Sequence, residues 1–416
     1  MILICLSILL ILNPYTIIGP LGYYVALPFF GLAVLFGVKN ISKDIFYCFL
    51  ILVLISFIGF FSSALHGITQ IEHVKVAFSI LVYYFVGVGL FIGFKNKVEI
   101  DEFLIAALYV GVLNGVVILL QVQVPQFRAL VESVFVESGN IDWNEGFRYR
   151  GLASGGGASL SVLSAFMVYI CLYLYGVKKI GAIMAVVSLA VLVASVFFIG
   201  RTGVLLIFMA FIMYAIVQGW RNVKIIAFVT STIVFVLFFG LSFIEKFLTQ
   251  EYGEGFYRYS LGFFLEGRQG IESEGTVGIV SEFLTTVPKQ FPEILIGYGF
   301  YGGSDFYPWT DSGYARMFLS VGFVFGIIFY CSAFYIYKKS ALGKQVLFWP
   351  LIALLAIAEI KEGMMFAGYS SRLLFILMGF WAADRLNAKR INKRIPMVAR
   401  ANINSHESST NYYRLE

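Results

Sequence analysis

The chain has 416 residues, 60% of them hydrophobic, 18% aromatic and only 13% charged, with a mean hydropathy of +0.86. That is more apolar surface than a soluble core hides, so lipid is the solvent for most of it. The formal net charge of +6 is gathered mostly after residue 383, which marks a tail on a membrane surface and does not make nucleic acid an expected partner.

In hydrocarbon, helices are the economical way to satisfy backbone polar groups, and the alternating segments of a β-barrel are absent. The expected fold is an all-α polytopic membrane protein, a bundle of about 12 transmembrane helices with one long loop on the outer side. Spans are predicted over 1–18, 21–38, 45–65, 74–94, 102–122, 157–176, 181–199, 203–219, 225–243, 313–337, 345–358 and 369–383. The N-terminus lacks a basic region and a small-residue cleavage site before Asn13-Pro14, so it reads as the first span and not as a removed signal. Cys5, Cys48, Cys171 and Cys331 all fall inside spans, and His66, His73 and His406 have no ligand-spaced partner, so neither a disulfide nor a metal is expected.

With a cytoplasmic N-terminus, the inner connections carry Lys39/Lys43, Lys95/Lys97, Lys178/Lys179, Arg221/Lys224 and Lys338/Lys339/Lys344. That alternation is what the positive-inside rule requires. The chain therefore divides into 1–243, nine spans with an outer segment near 123–156; 244–312, a large outer loop; 313–383, three more spans; and 384–416, a basic cytoplasmic tail. The large loop holds ten acids against four bases. A loop of that length is functional or disordered, and its aromatic and aliphatic content argues for order. The tail, with seven basic and three acidic residues, serves as a topology anchor followed by disorder or as a contact with anionic lipid.

Four outer motifs carry candidate chemistry. Phe147-Arg148-Tyr149-Arg150-Gly151 precedes the small-residue start of a span, where two guanidiniums beside a helix N-terminus suit a pyrophosphate, although arginines at an interface also snorkel. Gly200-Arg201-Thr202-Gly203 puts an arginine on the outer side against the charge rule, which makes Arg201 a functional candidate. Gly297-Tyr298-Gly299 leads to Asp311, Ser312, Gly313, Tyr314 and Arg316. No βαβ unit surrounds these glycines, so a dinucleotide site is rejected. The segment reads as a turn delivering Asp311, Tyr314 and Arg316 to the membrane surface, or as a helix start capped by Asp311 or Ser312. Glu359, Lys361, Glu362 and Arg372 surround the last outer turn, where mutual ion pairing is the plain account.

Taken in order, Arg148-Tyr149-Arg150-Gly151, the Gly-Arg-Thr-Gly turn at 200–203, and the loop ending Gly297-x-Gly299, Asp311-Ser312-Gly313-Tyr314 and Gly322-x-x-x-Gly326 resemble the O-antigen polymerase family. The resemblance implies a glycosyltransferase of the bacterial inner membrane, multi-pass with both termini cytoplasmic. Such enzymes work at the periplasmic face and move a growing chain from undecaprenyl pyrophosphate onto the next lipid-linked repeat unit, without nucleotide, metal or other cofactor. On that reading Asp311 is the base, with Glu272 and Glu282 as substitutes. Arg148, Arg150, Arg201 and Arg316 take the diphosphate. Arg268, Tyr314, Trp309 and Arg372 complete the substrate contacts, and Trp143, Tyr301 and Tyr307 are further rings for sugar faces. The partners implied are the undecaprenyl-pyrophosphate-linked oligosaccharide, membrane lipid and a polysaccharide chain-length regulator. The related O-antigen ligases associate catalysis with a histidine in the large outer loop, and residues 244–312 contain none. A lipid-linked oligosaccharide flippase is the competing class; it would place charges deep in several spans, whereas here nearly every charge sits at a span end.

The topology is checked by labelling single cysteines with a membrane-impermeant thiol reagent in a cysteine-free background. Ser260→Cys should react from outside and Arg390→Cys only after permeabilisation; labelling of both from one side overturns the arrangement.

Overall fold

The computed structural model describes residues 1–67, 70–94, 97–135, 149–218, 286–301, 310–366 and 368–394. The predicted span 225–243, most of the large loop and the end of the tail lie outside the described residues. The chain begins with α1 (Ile2–Ser7), extended by a π-turn over Ile8–Leu12, and a two-residue hairpin of β1 (Tyr15–Thr16) and β2 (Gly19–Pro20). The hairpin's register pairs Tyr15 with Pro20 and Thr16 with Gly19. Then come α2 (Leu21–Leu32), α3 (Lys43–Leu65), α4 (Glu72–Gly93), α5 (Ile100–Gln123), the short α6 (Pro125–Val134), α7 (Ala158–Gly176), α8 (Ala182–Val196) and α9 (Arg201–Gln218). After the undescribed stretch follow α10 (Glu293–Ile296), α11 (Gly313–Ser340), α12 (Gln345–Lys361) and α13 (Tyr369–Arg394).

Among the described residues seven helical stretches are long and apolar enough to cross a membrane: Leu21–Asn40, which continues α2 through a π-turn and a 3-10 turn, Lys43–Leu65, Glu72–Gly93, Ile100–Gln123, Ala158–Gly176, Arg201–Gln218 and Gly313–Ser340, the last taken across a break at Gly322. The protein is an all-α membrane protein. The first predicted span is shorter than 1–18, because Asn13 takes a left-handed conformation and its Oδ1 accepts the Gly22 N–H at 2.8 Å, which turns the chain into the hairpin. Ala182–Val196 is likewise a short apolar helix.

At the centre stand α4, α7 and α13. Residues 160–174 of α7 are all buried. α4 and α13 pack backbone to backbone: a Cβ on Gly87 would overlap the Ile376 carbonyl, and one on Gly379 would overlap the Tyr84 carbonyl. Apolar side chains gain little by associating in lipid, so close van der Waals contact through small residues supplies the attraction.

One correction concerns the predicted span 313–337. α11 is not straight, because Gly322 (φ 79°, ψ 173°) breaks it. In a continuous helix residues 16 apart lie about 24 Å apart, yet the Tyr314 and Tyr330 rings are 5.0 Å apart and Phe318 stacks on Phe323 at 4.5 Å. Residues 313–321 thus fold back along residues 323–340 as a helical hairpin. Breaking the helix frees carbonyls, and the returning loop takes them: Tyr298 N–H donates to Leu319 O at 2.7 Å and Gly299 N–H to Ser320 O at 3.1 Å. Ser62 Oγ of α3 donates to Gly297 O at 2.7 Å, and a Cβ on Gly299 would collide with the Ser63 backbone.

Charges separate to the two ends. At one end Lys344 pairs with Asp101 (2.9 Å), Lys179 with Asp101 (3.3 Å) and Lys339 with Asp44 (3.3 Å). Arg385 donates to Leu342 O and Lys339 O, and Arg390 to Asn40 Oδ1, each at 2.9 Å. The opposite end carries the hairpin, the Tyr149–Gly157 loop, the start of α9, the α11 turn and the 362–368 connection.

Gly379→Ala should lower stability by about 1–3 kcal/mol through backbone overlap, whereas Gly31→Ala, with no atom within 4 Å of its Cβ, should leave it unchanged. Thermal unfolding of the two variants in the same detergent checks the pair, and an equal midpoint for both would refute the close α4–α13 contact.

Candidate functional site

The hairpin end gathers two linked polar clusters. The first forms where α7 and α9 begin side by side. Gly157, with φ 74°, is the N-cap of α7, and Gly200 packs on it so closely that a Cβ would lie 3.4 Å from the Gly157 carbonyl group. Gly203 allows the same approach one turn further in, since its Cβ would overlap Ser161. The two helix N-termini therefore converge. Between them and the end of α12 is an open cleft of about 310 Å³ lined by Gly157, Ala158, Gly200, Arg201, Thr202, Lys361 and Glu362. Arg201 is exposed there, and Lys361 Nζ donates to Thr202 Oγ1 at 3.2 Å. Two cations, two converging N-terminal dipoles and side-chain-free backbone make a place where an anion with several oxygens can be met from more than one direction, with Glu362 as the one acid in the lining.

The second cluster lies at the base of the α11 hairpin. Arg316 Nη2 donates to Asp311 Oδ1 at 2.9 Å and its Nε to Thr310 O at 2.9 Å, with both charged side chains partly exposed. Beneath them Glu359 is completely buried. Its Oε1 accepts the Tyr330 hydroxyl at 3.0 Å and its Oε2 the Met365 N–H at 2.6 Å. Gly313 is glycine because a Cβ would overlap this carboxylate. Tyr301 is buried beside it, its N–H donating to Gln70 Oε1 at 3.0 Å. Burial, with the Glu359 carboxylate adding to it, keeps the Tyr301 phenol protonated well above its ordinary range. The stretch 359–363 joins the clusters, offering Glu359 to Tyr330, Lys361 to Thr202, and Gly363 to Tyr301 and Arg316.

The Tyr149–Gly157 loop is held from below. Buried Asn114 and Gln121 of α5 accept the N–H groups of Leu152 (2.7 Å) and Gly151 (3.1 Å). Tyr369, at the start of α13, accepts the Gly155 N–H at 2.7 Å, donates to Gly155 O at 2.9 Å and meets Ser154 Oγ at 3.0 Å. Arg150 Nη2 donates to Phe135 O at 2.6 Å, capping the end of α6, while its Nη1 is buried without a partner. Arg372 is sandwiched between the Tyr83 and Tyr369 rings at 5.6 and 5.3 Å from their centroids, and its Nη1 is also buried without a partner.

Of the residues singled out from the sequence, Arg201, Asp311, Arg316, Arg150 and Arg372 all lie at this end, in the arrangement just given. Tyr314 is partly buried: its hydroxyl donates to Ala356 O at 3.0 Å and its ring packs on Tyr330, on the arm of α11 that folds back. Glu359 and Arg372 engage Tyr330 and the two tyrosine rings and do not pair with each other. Arg148, Arg268, Glu272, Glu282 and Trp309, with Trp143 and Tyr307, lie outside the described residues. Sequence reasoning missed the pairing of Lys361 with the Arg201 turn, and the anchoring role of Asn114 and Gln121. The latter pair had a signal, since two amides seven residues apart share one face of an otherwise apolar helix. No group of three or more His, Cys, Asp or Glu side chains among the described residues is placed to hold a metal ion. Comparison with protein-family models, curated proteins and solved structures finds no match to the chain.

Glu359→Ala leaves the buried Tyr330 hydroxyl and Met365 N–H unpaired and should cost about 2–4 kcal/mol, while Glu359→Gln, which keeps an acceptor, should cost roughly half as much. Unfolding midpoints of the purified variants check the order; equal midpoints for wild type and Glu359→Ala would remove the anchoring role.

Proposed function

We propose that this protein is a polymerase of lipid-linked oligosaccharides, joining undecaprenyl-pyrophosphate-linked repeat units into O-antigen or a similar surface polysaccharide at the periplasmic face of the bacterial inner membrane. The observation that carries the reading is the cleft of Arg201, Lys361 and the paired α7 and α9 N-termini at the end of the bundle opposite the basic connections. By the positive-inside rule the lysine-rich end is the cytoplasmic one, which supports a periplasmic cleft. A lipid carrier held in the bilayer presents its diphosphate at that height. In the transfer, an acceptor hydroxyl forms a bond to the anomeric carbon of the donor sugar as the bond from that carbon to the diphosphate oxygen breaks. The negative charge that builds on the leaving diphosphate is met by Arg201 and Lys361, fixed cations on the cleft wall. Asp311 takes the hydroxyl proton, and Arg316, 2.9 Å away, holds that carboxylate in place. Repeat-unit sugars would be met by the large loop, and a chain-length regulator by that loop or the spans.

One observation favours the second reading, a flippase for the same lipid-linked oligosaccharide. The break in α11 and the enclosed Glu359 are the kind of discontinuous helix and internal charge that transporters use.

Deleting the gene in its host and complementing it with wild type, Arg201→Lys or Arg201→Ala separates the readings on a gel of the surface glycolipid. A polymerase gives a ladder with wild type, a single-repeat band with Arg201→Ala, and polymer yield reduced about tenfold or more with Arg201→Lys, which keeps charge but loses the planar fork. Loss of every repeat, with oligosaccharide-lipid retained on the cytoplasmic side, would establish the flippase instead. Long polymer left unattached would establish a ligase.

A further inference from the structure

A helix of the hairpin end has a face that nothing described in the protein covers. α6 starts at Pro125, directly after α5 ends at Gln123, so its height is fixed at the end of a membrane span. Its apolar residues Phe127, Leu130, Val131 and Val134 fall at i, i+3, i+4 and i+7, one continuous stripe of a helix. Only one edge of that stripe faces protein: Val131 is buried, whereas Leu130 is 59% and Val134 50% exposed. The polar side carries an internal ion pair, Arg128 to Glu132 at 2.8 Å.

We propose that α6 lies in the plane of the bilayer surface with its Leu130–Val134 edge in the acyl boundary, so that lipid is the partner of this edge. The uncovered residues of α5, Tyr109, Leu113, Val116 and Leu120, run up one side of that span and reach Val124, which is uncovered as well. The Leu130–Val134 edge follows where that lipid-facing stripe ends. An in-plane helix needs an apolar edge set apart from its charges, and here Arg128 lies off that edge, over the Tyr149 ring at 4.9 Å, with Glu132 beside it. The helix is also strapped to the loop behind it: Arg128 holds Tyr149, and Arg150 holds Phe135 O at 2.6 Å. The bilayer surface thereby fixes one side of the Tyr149–Gly157 loop, whose last residue lines the cleft. This inference does not depend on what the cleft binds.

The test uses single nitroxide labels at Leu130→Cys, Val134→Cys and Glu132→Cys in protein lacking the four native cysteines, reconstituted into vesicles of phosphatidylethanolamine and phosphatidylglycerol. Collision with oxygen, which concentrates in lipid, is compared with collision with a water-soluble nickel chelate. Labels at 130 and 134 should meet oxygen several-fold more than nickel, with the ratio inverted at 132. Equal access of nickel to 130, 134 and 132 would overturn the proposal by placing α6 above the bilayer, and protection of 130 and 134 from both reagents would overturn it by showing protein over that edge. Each labelled variant is compared with unlabelled protein by its melting profile, and if one of the pair 130 and 134 unfolds early the other carries the same comparison.

Discussion

A carboxylate with no access to water organises the hairpin end of this bundle. Glu359 is fully buried, where an unpaired charge or acceptor is costly, so the chain must supply donors, and they come from far apart. Tyr330 offers its hydroxyl from the long arm of α11, and Met365 offers its N–H from the connection after α12. Accepting both pulls that connection down into the bundle, where Met365 O takes the Tyr337 hydroxyl at 3.1 Å and Phe366 packs edge-on against Phe329 at 5.0 Å. The connection then emerges at Tyr369, which holds the Gly155 peptide through both its N–H and its C=O. The α11 turn, the Lys361 side of the cleft and the loop before α7 are thus positioned from one buried group.

Glycine decides how tightly these parts come together. Gly313 makes room for the carboxylate, Gly200 and Gly203 let α9 lie against α7, and Gly297 and Gly299 let the incoming loop press on the α11 break and on α3. At all of these positions but Gly203, where Val196 is nearest, the closest neighbour is backbone or a polar side-chain group, so the approach keeps N–H and C=O groups within reach of protein partners. That is the condition for irregular backbone at membrane depth. It also leaves Arg201 and Lys361 on closely packed supports, the arrangement that the proposed transfer from a diphosphate would use.

How much of this is readable from residues alone differs by level. The apolar runs and the end-loaded charges point to an all-α membrane protein directly, because lipid imposes composition on any crossing segment. The fold-back of α11 is not readable that way. Hydropathy over 313–337 is the same whether the segment crosses once or turns at Gly322, and only Arg316 near its start hints that the first part faces something other than lipid. Arg201 stands out by violating the charge rule, but its neighbour Lys361 comes from 160 residues later and carries no local sign of it. Arg150 is conspicuous as a cation and turns out to cap α6, since a guanidinium beside a helix C-terminus looks the same in sequence as one awaiting a ligand.

The returning arm of α11 bears on how the protein is made. Insertion machinery accepts segments long enough to cross the bilayer, and an arm of nine residues before Gly322 is about 13 Å long, well under that length. It must slip into place from the surface after its longer partner has inserted. Its foothold, Glu359, arrives only when α12 follows. The hairpin end is therefore completed late in biosynthesis, and a chain released before α12 would hold most of its crossing helices yet lack the group that closes the site.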